Sequence, residues 1–223
     1  MPRPPNPQTA VIVVVPEAEP SVGALRARFD PSAALGVPAH VTLLHHFMAP
    51  DAIDAAVRDR IAAIAAASAP FGFRLDAIGR FPETLYLAPE PAAPFVALTR
   101  ALVAAFPAWL PYEGRHPTVV PHLTVAQTDP SRLDSIESEL RDAKDQDAIT
   151  AHCTDIVLIE NASGQWNTMH TFLLGSRTAD SNAAAHQKGP IAERLMKNGD
   201  EQGNADPCLA PSDALEGPQR SIG

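Results

Sequence analysis

Cysteine is nearly absent from this chain. Of 223 residues only Cys153 and Cys208 are cysteines, and they form neither a CxxC pair nor a zinc-ligand spacing, so two reduced, unpaired thiols are expected. Lysine is almost as scarce, with three residues, all beyond residue 143. Arginine supplies the cations elsewhere, and its planar fork suits phosphate. Aromatic residues make up only 5% of the chain. No apolar run approaches the ~20 residues that cross a bilayer. The N-terminus, with Pro2, Pro4, Pro5 and Pro7, lacks the basic start and apolar stretch of a secretory signal. A cytoplasmic protein without a membrane partner is expected.

The net charge is −9. Residues 1–178 hold 13 basic and 19 acidic residues, and residues 179–223 hold 4 and 7, so both parts are acidic. Neither has the basic stripe that a long nucleic-acid duplex requires. A small nucleotide or the end of an RNA is the more suitable partner. No heptad pattern demands a second copy, and a monomer is expected.

What is present is apolar substance for a core, 45% of residues, arranged in alternating short segments. Strands are predicted over 9–15, 40–47, 71–78, 84–87, 119–126, 149–159 and 166–174, with helices over 20–29, 50–67, 94–106 and 130–143. Ser21 is the expected cap of the first helix. Residues 1–9 read as a Pro-rich lead-in and 10–178 as the folded domain. Residues 179–223 hold no aromatic residue and cannot bury enough apolar surface to offset their ordering entropy, so a disordered acidic tail is expected.

Two segments look like copies of each other: His40-Val41-Thr42-Leu43 and His122-Leu123-Thr124-Val125. In a strand, residues i and i+2 share a face, so each segment presents an imidazole beside a hydroxyl. Chance alone supplies about 0.4 His-x-Thr triplets in a chain of this composition, and about 0.1 when the neighbours must be apolar. A third triplet, His116-Pro117-Thr118, carries a central proline and reads as loop. One motif alone reads as a structural strand histidine; the pair reads as a site. A helix follows each motif, which suggests two similar halves.

The paired segments Pro-Ala-His-Val-Thr-Leu and Pro-His-Leu-Thr-Val resemble the 2H phosphoesterase superfamily. The stretches Arg28–Phe47 and Arg80–Pro91 look like its bacterial branch named for 2′,5′ RNA ligase. The resemblance covers residues 10–176. It implies an α+β, bilobal fold: two pseudo-symmetric antiparallel sheets backed by helices around a central cleft. It also implies action on 2′,3′-cyclic phosphate or 2′,5′-phosphodiester bonds, with reversible RNA-end ligation as a further activity and no metal or cofactor. By position, His40, Thr42, His122 and Thr124 match the residues that carry this chemistry.

The residue types suit that reaction. Opening a cyclic phosphate needs a base for water and an acid for the leaving oxygen, and histidine, with a pKa near ~6.5, serves as either. Threonine hydroxyls can donate to the non-bridging oxygens. A metal site is the weaker reading. There is no HExxH, and in an unbroken strand His45 points away from His40 while His46 lies about 20 Å along. Phe47 and Tyr86 read as core packing before base stacking. Arg80 and Arg115 read as surface cations before phosphate ligands, and Trp166 as sheet packing. The alternative to an enzyme is a silent nucleotide-binding module of the same fold.

Overall fold

The computed structural model describes residues 6–111, 119–143 and 148–175. Eight strands are present: β1 (Thr9–Val14), β2 (His40–Leu44), β3 (Phe71–Phe81), β4 (Thr84–Glu90), β5 (Leu123–Gln127), β6 (Ile149–Cys153), β7 (Asp155–Glu160) and β8 (Asn167–Leu173). Five helices accompany them: α1 (Glu19–Phe29), α2 (Pro31–Ala34), α3 (Ala55–Ala67), α4 (Ala93–Ala105) and α5 (Leu133–Ala143). None is long and apolar enough to cross a membrane. The tail expected over 179–223, with Cys208, lies outside the described residues, as do Arg115 and His116.

The expectation of two sheets is corrected. All strands join one antiparallel sheet in the order β6-β3-β4-β5-β2-β1-β7-β8. Its two four-stranded halves meet at the motif strands, where Val41 pairs with Leu123. The element order β1-α1-β2 in one half parallels β4-α4-β5 in the other. The helices are exchanged: α1 packs on β5 and α4 packs on β2, so each half covers the other's motif strand.

The sheet is curled. A single residue, Thr154, separates β6 from β7, so Cys153 and Asp155 lie at most about 7 Å apart. Six strand spacings in a flat sheet would hold those two strands about 29 Å apart. The strand predicted as 149–159 is therefore two strands, one paired with β3 and the other with β1.

Apolar spacing explains the helices. Val22 and Leu25 on α1, Ile61 and Ala65 on α3, Phe95, Leu98 and Leu102 on α4, and Leu133, Ile136 and Leu140 on α5 are all buried. They meet Val41, Leu43, Leu87, Leu123 and Val125 from the covered face of the sheet in one core. Boundaries shift where caps decide them. The helix predicted from residue 50 starts at Ala55, because the Asp54 side chain accepts the Val57 amide at 2.8 Å. Helix α1 starts at Glu19 without a side-chain cap, so Ser21 lies inside it. Strand β5 starts only at Leu123, since Pro121 has no amide to give a ladder.

Cys153, the last residue of β6, is buried in the core, and desolvation pushes its thiol up to about 12, which makes it inert. Phe95 is fully buried and packs edge-on against Phe71 and Phe73, with ring centroids 5.0 Å away in both cases. Phe95→Ala is expected to lose about 3–5 kcal/mol of stability through the cavity it leaves, read as a lower urea midpoint with an unchanged slope.

Candidate active site

The site is built from register. Val41 faces Leu123 across the β2–β5 junction. Continuing that antiparallel pairing by one residue each way sets His40 opposite Thr124 and Thr42 opposite His122. Residues directly opposite share a face, and Val41 and Leu123 point into the core. The four motif side chains therefore stand together on the uncovered face, all half-buried. Each histidine is beside the other motif's threonine. The two histidines lie on the diagonal, with about 7–8 Å between Cβ atoms.

Neighbouring strands extend this array. Val14 pairs with His40 and Ile12 with Thr42 on one side, and Tyr86 pairs with Thr124 on the other. Gly79 in turn faces Tyr86. A Cβ added at Gly79 would overlap the Tyr86 ring, so glycine is what lets that ring lie on β3. Phe81 stacks on Tyr86 at 4.6 Å, and both contact the His122 ring, at 5.1 and 5.3 Å.

Both histidines are held in the same way. The Nδ1 of His40 lies 2.8 Å from the Pro38 carbonyl, and that of His122 lies 2.7 Å from the Val120 carbonyl. A carbonyl only accepts, so Nδ1 carries the proton in each ring and Nε2 is the basic nitrogen. Two rings fixed in one tautomer, beside two hydroxyls on one face, form an arrangement that packing alone does not require.

The model of the 2′-5′ RNA ligase superfamily matches residues 14–165. The chain belongs to that superfamily. Among solved structures, E. coli LigT complexed with 3′-AMP is 16% identical with a TM-score of 0.50, covering 76% of this chain and 99% of that one. A protein from Thermus thermophilus is also 16% identical, with a TM-score of 0.49 and coverage of 75% and 98%. A search of curated proteins finds no match. At this identity the LigT likeness is one of fold.

Electrostatics keep the histidines of this superfamily member neutral. Desolvation lowers His40 to about 4, aided by the nearby Arg26 charge and by His122, against the opposing Pro38 hydrogen bond and Asp30. Burial also lowers His122, opposed by its bond to Val120. The Phe81 and Tyr86 rings form the apolar side of that burial.

His45 is the residue that sequence periodicity misplaced. Val11 pairs with Leu44 but Ile12 with Thr42, so Leu43 is an extra residue in the ladder. Such a bulge inverts the alternation beyond it, and Leu43 and Leu44 are both buried. His45 thus returns to the face of His40. It sits edge-on to Trp166 at 5.8 Å, and Trp166 packs on the cluster of Ala10, Ile12, Val37, Val157 and Ile159 on that side of the sheet. Burial lowers His45 to about 4, with His46 and His40 as further causes.

Other candidates resolve differently. Phe47 is core, against Phe106 and Trp109, whereas Tyr86 is part of the site's wall. Arg80 is engaged by Asp134 and Glu137 of α5, at 2.7 Å in each case. His152 is exposed on β6 and His170 half-buried on β8. Among the described residues, no group of three or more His, Cys, Asp and Glu is placed to hold a metal ion. A cavity of about 800 Å³ is lined by residues that include Gln8, His46, Phe47, Pro50, Trp109 and Leu110, and by none of the motif residues.

Two outcomes test this geometry. Gly79→Ala is expected to displace the Tyr86 ring and alter the near-UV circular dichroism and the His122 ring resonances. Histidines that titrate near 6.5 unfolded but about 4 folded leave the unfolded state binding more protons between those values. Stability therefore falls as pH drops through that window. The urea midpoint should fall from pH 7 to pH 5, and fall less in His45→Gln.

Proposed function

We propose that this protein is a metal-independent phosphoesterase that opens 2′,3′-cyclic phosphates or cleaves 2′,5′-phosphodiester bonds of nucleotides or RNA ends. The observation that carries this reading is the pairing of Val41 with Leu123 across one strand junction, whose register sets each motif histidine beside the other motif's threonine. Membership of the 2′-5′ RNA ligase superfamily supports it. A nucleotide occupant is supported by the 3′-AMP complex of LigT.

In this mechanism the phosphoryl group sits between the diagonal imidazoles. One Nε2 takes a proton from the attacking water while the other, protonated, gives its proton to the departing ribose oxygen. The bond formed is water oxygen to phosphorus, and the bond broken is phosphorus to the 2′ or 3′ oxygen. Thr42 and Thr124 donate to the non-bridging oxygens, where negative charge gathers. With a 5′ hydroxyl as nucleophile in place of water, the same groups join an RNA end to a cyclic phosphate: the phosphorus–O3′ bond breaks, the 3′ oxygen takes the proton, and a 2′,5′ linkage is left.

His40→Ala and His122→Ala are each expected to lower turnover of 2′,3′-cyclic nucleotides by about 10²–10⁴-fold, with circular dichroism unchanged. Thr42→Val and Thr124→Val should each cost about 10²–10³-fold. Turnover should persist in excess EDTA. Full activity in either histidine variant would overturn the reading. Tight nucleotide binding without hydrolysis, on cyclic and 2′,5′-linked substrates alike, would replace it with a binding module.

A further inference from the structure

The two motifs differ in what stands behind them. On the His122 side, the carbonyl that holds Nδ1 belongs to the Val120–Pro121 peptide, which has no N–H. On the His40 side, the carbonyl that holds Nδ1 belongs to the Pro38–Ala39 peptide. That peptide does have an N–H, and it donates to Glu19 Oε1 at 2.6 Å. The N–H and C=O of one peptide group are rigidly coplanar and point in opposite directions. A carboxylate that fixes the direction of the Ala39 N–H therefore also fixes the direction of the Pro38 C=O. It polarises that carbonyl as an acceptor as well, since hydrogen bonds in series strengthen one another.

We propose that Glu19 is a positioning residue of the site, orienting the His40 ring through the Pro38–Ala39 peptide plane. This rests on the reading of His40 as a proton-transfer group. The chain of contacts runs from the Glu19 carboxylate through the Ala39 N–H and the Pro38 C=O to the His40 Nδ1–H. It leaves Nε2 directed at the substrate face in a fixed tautomer.

Arg26 anchors this relay. It is only 2% exposed, on the buried side of α1. Its guanidinium pairs with Asp30 at 2.9 Å, donates to the Val37 carbonyl at 3.0 Å and to Ser32 Oγ at 3.3 Å, and reaches Glu19 Oε1 at 3.5 Å. The same helix thus grips the backbone on both sides of Pro38: Arg26 holds the carbonyl of Val37, and Glu19 holds the amide of Ala39. The Asp30 carboxylate closes the loop by accepting the Ser32 amide at 2.9 Å. None of these groups touches the substrate face; they act on it only through His40.

The test uses the full-length protein and two substitutions at Glu19, whose side chain is 41% exposed and so is separable from folding. Histidine ring nitrogens are followed by ¹H–¹⁵N correlation spectra at neutral pH, with His40→Gln identifying the His40 signals. Wild-type His40 and His122 should both show the Nδ1–H form. In Glu19→Ala, His40 should become a mixture of both tautomers while His122 is unmoved. In Glu19→Gln, whose amide oxygen still accepts the Ala39 N–H, the Nδ1–H form should be largely retained. Steady-state kinetics on 2′,3′-cyclic nucleotides should show kcat lower by about 10–100-fold in Glu19→Ala, as is usual for outer partners of functional histidines, with KM within about twofold and Glu19→Gln near wild type. An unchanged His40 tautomer in Glu19→Ala, or an equal change at His122, overturns the proposal. If the wild type turns over no substrate, the phosphoesterase reading fails while the spectra still decide the relay.

Discussion

The whole molecule depends on one backbone pairing, Val41 with Leu123, at the centre of the eight-stranded sheet. It joins the two halves and sets the register of both motifs together. Side chains alternate with a period of two, so a one-residue slip at this junction would turn one motif into the core and its apolar neighbours to solvent. The sequence guards against that slip. Val41, Leu43, Leu123 and Val125 are all buried, and the ladder partners of Val41 and Leu123, namely Val13, Leu87 and each other, are as apolar. The exchanged helices add to the constraint: α1 from one half seals β5 and α4 from the other seals β2. The halves cannot separate without uncovering both.

Given that junction, the site's two ends are alike in backbone and unlike in surroundings. Each imidazole gives Nδ1–H to a carbonyl two residues earlier. Around His122 the desolvating groups are aromatic, with the Tyr86 ring seated on Gly79. Around His40 they are charged and polar, and Arg26 and Asp30 act on it in opposite directions while adding hydrogen bonds to the loop that precedes the motif. A buried ion pair of this kind contributes little net stability compared with apolar packing. What it gives here is a defined path for residues 30–39, which is the segment that delivers His40 to the junction.

How much of this was legible in the sequence follows from the range of each interaction. The motif pairs were legible because period-two alternation is local and each His-x-Thr triplet lies before the bulge in its strand. Helix positions were legible from apolar spacing, with errors at the ends where Asp54 or Pro121 decides. His45 was not legible: its face depends on the extra residue at Leu43, and a bulge is set by the partner strand. The split at Thr154 was not legible either, because Ile149–Cys153 and Asp155–Glu160 are both apolar alternations and only pairing at distant positions in the sheet separates them. A lone arginine on a helix reads as solvated, so Arg26 gave no signal. The single sheet in place of two turns on one hydrogen-bonded contact between the halves, which composition does not encode.

The neutral state of both histidines has a consequence for the proposed reaction. Acid–base chemistry at phosphorus needs one imidazole protonated and one not, yet desolvation holds His40 near 4 and lowers His122 as well. Neutral imidazoles therefore lack the proton that the proposed reaction must deliver. A phosphoryl anion placed between the rings supplies the missing counter-charge, which favours the protonated form of whichever ring it touches most closely. In the proposed reaction, substrate binding and proton uptake are then one coupled event. There a nucleotide brings both that charge and the further contact that offsets its desolvation.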